Sequence, residues 1–153
     1  MSDRSLSPVL GVVLLLALTV ALAGTVGSVA LGTDVPSEPT SAVVDLRVDA
    51  DANRLTFVHR GGDALDVTAL RVRITVDGRA LDDQPPVPFF SATGFHPGPT
   101  GPFNSAADSE WTAGERASLR LAETNDPPVS SGASISVTLS VDGTVVAEMT
   151  ARA

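Results

Sequence analysis

Few side chains in this chain of 153 residues have the types and spacing that chemistry requires, and each set falls short of a complete site. Asp49-Ala-Asp51-Ala-Asn53 begins like a calcium loop, in which oxygen ligands recur at alternate positions. The position that needs a sharp-turn glycine is Arg54, however, and the one that needs a bidentate acid is Arg60, which rejects an EF-hand. A looser calcium site from Asp45, Asp49 and Asp51 competes with a hydrated acidic edge, and the edge is favoured. Zinc prefers thiolate and imidazole ligands, and the chain holds no cysteine and two histidines, His59 and His96. Asp82-Asp83 could pair as acids, but adjacent residues in a proline-flanked loop point to solvent. No nucleophile elbow, phosphate loop or dinucleotide fingerprint is present. We therefore expect no catalytic residue, no cofactor and no metal, and a protein that is not an enzyme.

What remains is chemistry done to the chain. Arg4-Ser5 stands directly before Leu6-Ser7-Pro8-Val9-Leu10-Gly11, and from Val9 to Leu31 no residue is charged. A bilayer-spanning helix needs about 20 apolar residues, and this run supplies about 23. Three readings compete. A secretory signal would be cut after Ala21-Leu22-Ala23, but the apolar run continues through Val26, Val29, Ala30 and Leu31, past the usual length of such a segment. A plain membrane anchor would stay whole. A trimmed anchor would lose only its polar end. Pro8 supports the last, because proline belongs in the first turn of a helix, where its missing N–H would be unpaired anyway. The helix then begins near Ser7, a suitable N-cap, and everything before Leu6 lies open to a peptidase.

These residues resemble the class III signal and helix start of archaeal type IV pilins: a basic residue, a small residue, the scissile bond, then Ser-Pro-Val-aliphatic-Gly-Val. The resemblance implies cleavage by prepilin peptidase between Ser5 and Leu6, with Arg4, Ser5 and Leu6 as the processing site. It implies that Ser7, Pro8, Val9 and Gly11 open the assembly helix. The fifth mature residue would be Leu10 rather than Glu, in keeping with the archaeal pattern. Ser before the scissile bond and a five-residue leader depart mildly from it. Gly11, Ala17, Ala21, Gly24 and Gly27 would allow close helix approach or simply reflect a glycine-tolerant span.

Composition sets the surroundings. All 10 basic residues are arginine, against 18 acids, for a net charge of -8. That sign repels nucleic acid and anionic lipid surfaces, so no nucleic-acid partner is expected. The acids all lie outside the apolar run, and an acidic surface without lysine is similar to proteins of halophilic archaea. Without cysteine, an exported domain must fold without disulfides.

Gly32 to Ser41 mixes glycine, two prolines and small polar residues, which ends the helix and makes a short linker. Beyond it the period becomes two. Val44, Leu46 and Val48 alternate with charged residues, and Leu55, Phe57 and His59 alternate with Arg54, Thr56 and Val58. The same holds for Leu70 to Val76, for Leu119 and Leu121 about Arg120, and for Ile135 to Val141. Asp77-Gly78 and Asp142-Gly143 follow such strands and predict tight hairpins, since both central positions need positive φ. No second helix is evident. Six or seven short antiparallel strands predict a small Ig-like β-sandwich, making the whole chain α+β. The segments expected are a leader 1–5, an apolar helix 6–33, a linker 34–41 and an extracellular β-domain 42–153.

Two further features resemble the β-domains of halophilic archaeal pilins. One is His59-Arg-Gly-Gly-Asp63, where Gly61-Gly62 would supply positive φ and Asp63 would bond the turn's own amides. The other is Trp111 before a glycine-containing turn. His59 lies on the apolar side of its strand and reads as packed and hydrogen-bonded rather than metal-binding. Between Arg79 and Trp111, six prolines are interspersed with Phe89, Phe90, Phe95, Phe103 and Trp111. Either these rings fold back to cap the sandwich, or some form a subunit or adhesive surface.

The resemblance implies a filament subunit for adhesion and surface attachment. Its partners would be further copies or co-pilins, prepilin peptidase, the assembly platform and the membrane. It would be a single-pass membrane protein before assembly and extracellular afterwards. The alternative is an anchored binding module that never polymerises.

Overall fold

Alternation and its absence divide the chain into two kinds of structure. The computed structural model describes residues 6–32 and 39–153, with side chains from Pro8 to Thr25 in the first of these segments. The leader 1–5, most of the linker 34–41 and the side chains of Leu6 and Ser7 lie outside the described residues.

The uninterrupted apolar run forms one α-helix, α1, Leu6–Gly32; Thr33, the last residue of the expected segment 6–33, lies outside the described residues. Pro8 sits within its first turn, where a missing amide hydrogen costs no intrahelical bond. From Pro39 onward the chain forms a compact unit of its own.

Six longer strands build that unit: β1 Ala42–Asp49, β2 Arg54–Gly62, β4 Leu70–Val76, β7 Arg116–Arg120, β8 Ser134–Val141 and β9 Thr144–Arg152. Three two-residue strands join them, β3 Leu65–Asp66, β5 Arg79–Ala80 and β6 Glu110–Trp111. Three antiparallel sheets result, with orders β1-β2-β7, β3-β6 and β5-β4-β8-β9. Because side chains alternate across a strand, Leu55 and Phe57 of the three-stranded sheet share one buried core with Leu70, Val72, Ile74, Ile135, Val137 and Leu139 of the four-stranded one. This is the expected α+β class. Among the described residues the only other helical segment is a 3₁₀ turn, Gly101–Phe103.

Both Asp-Gly hairpins form with the backbone that their residues favour. Asp77 and Gly78 have φ of 48° and 80°, and Asp142 and Gly143 have 49° and 82°. The His-x-Gly-Gly-Asp motif behaves differently from expectation. Gly61 lies in β2 opposite Val43, and Gly62, with φ of 94°, supplies the positive angle. Asp63 bonds across the sheet rather than to its own turn: its amide donates to the Ser41 carbonyl at 2.9 Å, and its carboxylate accepts from the Ser41 amide at 3.0 Å. A Cβ on Gly62 would collide with the Ser41 carbonyl oxygen. The motif is thus a clamp that fixes Ser41, the residue just before β1.

Candidate functional site

A helix that is apolar on every side cannot bury one face and hydrate the other. In α1, ten leucine and valine side chains from Val9 to Leu22 are 57–69% exposed. Leaving such side chains in water forgoes on the order of 10–20 kcal/mol of transfer free energy. Pro8–Thr25 is long and apolar enough to cross a membrane. The polar atoms of this stretch satisfy themselves: Thr19 Oγ1 donates to the Leu15 carbonyl at 2.7 Å, and Thr25 Oγ1 to that of Leu22 at 2.9 Å. Such bonds remove the cost of carrying a hydroxyl into an apolar phase. At Gly11 and Gly24 an added Cβ would meet nothing within 4 Å, so both are open notches on the helix surface. Ala17, Ala21 and Gly24, spaced four and three apart, fall on one face.

The aromatic loop divides unequally. Phe103 and Trp111 are fully buried, and Phe89 and Phe95 are 5% exposed. Of the two readings of these rings, folding back over the core describes Phe89, Phe95, Phe103 and Trp111. Phe57, Phe103 and Trp111 stack in sequence with ring centroids 5.2 Å apart, and Trp111 meets His59 edge-on at 5.5 Å. Packing of this kind costs less than leaving rings wet, which is why the loop folds back. Phe90, one residue beyond buried Phe89, is 61% exposed and alone keeps the possibility of a contact.

His59 is fully buried, as its place on the inner face requires, and its Nε2 lies 3.0 Å from the Asp63 carbonyl. Two of the three acids named as looser candidates, Asp45 and Asp49, are engaged elsewhere. Asp45 pairs with Arg60 at 2.6 Å, and Asp49 accepts the Ala52 amide at 3.0 Å within the β1–β2 turn. No group of three potential metal ligands occurs among the described residues. The Asp82 amide donates to the Asp126 carbonyl at 2.8 Å, and the Asp83 amide to the Asn125 side-chain oxygen at 3.1 Å. Asp66 titrates below the usual carboxylate range, because the Thr68 hydroxyl and then the Thr68 amide donate to it, at 2.6 and 2.8 Å.

The apolar helix and its polar start decide the comparison with known proteins. Residues 4–46 match the family model described as archaeal type IV pilin, N-terminal. The match supports a pilin-like subunit. An uncharacterized protein of Archaeoglobus fulgidus is 34% identical over 76 residues, which are 48% of this chain and 54% of that protein. The chain thus spans about half the length of that relative.

The pilin-type match contains Arg4, Ser5, Leu6, Ser7, Pro8, Val9 and Gly11, and it ends inside β1. Ser41, the residue that the clamp holds, lies within it as well. Reasoning from the sequence missed one structural hub of the β-unit, Asn125. This side chain, 2% exposed, accepts the Asp83 amide at 3.1 Å and donates to the carbonyls of Asp83 and Gly94 at 2.9 and 3.1 Å. Its partners lie 42 and 31 residues away in sequence, so no local signal could have revealed it.

Proposed function

We propose that this chain is a type IV pilin-like structural subunit of an archaeal cell-surface filament used for adhesion and surface attachment. The match of residues 4–46 carries the reading, and an all-round apolar helix within that segment supports it. In this scheme the membrane stores the helix before assembly, with the β-domain 42–153 outside. Prepilin peptidase recognises the class III leader, residues 1–5, and hydrolyses the Ser5-Leu6 peptide bond. The new amino terminus then precedes Ser7-Pro8-Val9, and an assembly platform draws the helix out of the bilayer.

Once extracted, the helix must exchange lipid for something equally apolar, and other copies or co-pilins supply it. Close approach gains van der Waals contact without any polar group being stranded, since Thr19 and Thr25 already bond within the helix. The notches at Gly11 and Gly24 suit such an approach. The β-domains then lie on the outside of the filament, and the linker 34–41 separates the two parts.

N-terminal sequencing of the mature protein tests the scheme. A start at Leu6 is expected. An intact start, or one lacking only Met1, would instead indicate an anchored module that keeps its leader. A start at Gly24 would remove the helix and overturn both.

A further inference from the structure

The outer face of the three-stranded sheet carries an arrangement at odds with the acidic chain around it. Cross-strand partners share a face, so the register places Asp49, Arg54 and Arg120 in one row and Arg47, Thr56 and Ser118 in the next. Arg116, two residues before Ser118 on β7, lies on the same face. Arg54 has Asp49 opposite it on β1 and Arg120 opposite it on β7, and the like-charge Arg54–Arg120 pair would be relieved further by an anion held between them.

A loop closes one side of this face. The Thr100 amide donates to the Ser118 carbonyl at 2.9 Å, and the His96 amide to that of Arg120 at the same distance. At Gly101 a side chain would strike the Arg116 carbonyl oxygen, which is how the loop lies so near β7. Between loop and sheet is a groove of about 470 Å³, lined by Arg54, Arg116, Arg120, His96 and the hydroxyls of Thr56, Thr100 and Ser118. No aspartate or glutamate lines it, although the chain holds 18 of them. Arg120 spends its Nε–H on the Ala52 carbonyl at 3.2 Å, while the side chains of Arg54 and Arg116 have no partner among the described residues.

We propose that this groove binds an acidic polysaccharide, through carboxylate or sulfate groups held by Arg54, Arg116 and Arg120. Guanidinium groups present paired donors that match planar or tetrahedral oxyanions. Three of them along two adjacent strands suit a chain of repeated anions better than a single small ion. The groove lining holds hydroxyls, which pair with sugar hydroxyls, and lacks the exposed aromatic or aliphatic anchor that a protein partner would need. The net charge of -8 opposes this locally attractive site at long range, so binding strengthens when moderate salt screens the distant acids, then weakens as salt competes for the arginines. The site requires only the β-unit and holds whether or not the chain assembles.

The test is calorimetric titration of the full chain, in a neutral detergent, with polygalacturonate and with dextran sulfate, using uncharged dextran as reference. Binding of an acidic polymer but not of dextran is expected. Arg54→Gln and Arg116→Gln should each weaken it roughly tenfold, as loss of a charge-assisted contact does. Arg54→Lys, which keeps the charge and loses the fork, should fall between and covers the case in which a Gln variant does not fold. Arg71→Gln and Arg73→Gln, on β4 of the other sheet, remove the same charge and should change nothing. Equal weakening by these two, no binding at all, or tighter binding of single-stranded DNA would overturn the proposal. So would light scattering that shows self-association abolished by Arg54→Gln without polysaccharide binding, since the groove would then serve a second copy.

Discussion

Leu14 and Leu55 are the same residue in opposite circumstances: one is 62% exposed in α1, the other fully buried in β2. Neither composition nor hydrophobicity distinguishes them. Leu14 belongs to a run with no polar alternation, so every direction around the helix is apolar and the chain offers no hydrated side to leave outward. Leu55 sits between Arg54 and Thr56, and the two-residue period of a strand sends it inward while they face water. The β-unit therefore closes its core with its own residues, whereas the side chains described in α1 leave an apolar surface exposed. The helix left with an apolar surface is also the segment on which most of the match to the archaeal type IV pilin N-terminal model falls.

This contrast can be broken most forcefully from the β side. Phe103→Ala removes a fully buried ring that bridges Phe57 and Trp111, and should cost about 3–5 kcal/mol. Thermal melting followed by near-ultraviolet circular dichroism should show the loss, while Phe90→Ser, at an exposed ring, should leave the melt unchanged. Equal effects from the two would mean that the loop is not folded over the core. On the helix side, Leu14→Arg places a charge mid-span at a cost of about 2.5–3.5 kcal/mol for membrane insertion. Cell fractionation should show the protein leaving the membrane fraction, with the β-unit melting as before. A lowered melting temperature would instead tie the two parts together energetically.

Elements with a strict period were legible in advance. The helix, the strands β4 and β8, and both Asp-Gly hairpins follow from patterns contained within a few residues. The fates of the loop rings were not, because whether Phe89 or Phe90 turns inward depends on where the chain crosses the core, and that is fixed by distant partners. The Phe89 amide donates to the Phe103 carbonyl, fourteen positions on, and Phe103 is placed by a 3₁₀ turn drawn against β7. Gly62 shows a middle case. Its need for positive φ was legible, but the Ser41 contact that makes a side chain impossible there was not. The arginine groove was hidden for a similar reason: Arg54 and Arg120 are 66 residues apart and meet through strand register alone.

The smallest expected effect separates a local electrostatic device from the packing around it. Asp66 is exposed and owes its lowered pKa to two donors on Thr68, the hydroxyl first and the amide second. Thr68→Ala deletes the larger cause and keeps the smaller, so the Asp66 pKa should rise part of the way toward the ordinary carboxylate value. Two-dimensional NMR of the carboxyl carbon through a pH titration would read the shift directly. The sign of the linked stability follows from the folded pKa lying below the unfolded one: the contribution is fully present above the unfolded carboxylate pKa and is lost as pH falls through the folded value. The variant should accordingly show a flatter dependence of melting temperature on pH in the acid range, its deficit largest near neutrality, where the lost contribution was fully present, and fading as the pH falls. An unmoved Asp66 pKa would transfer the effect to the backbone of the Asp66–Ala69 turn, whose Ala69 amide donates to the Asp66 carbonyl at 3.2 Å, and the geometry of the β-unit rather than one side chain would then set its charge.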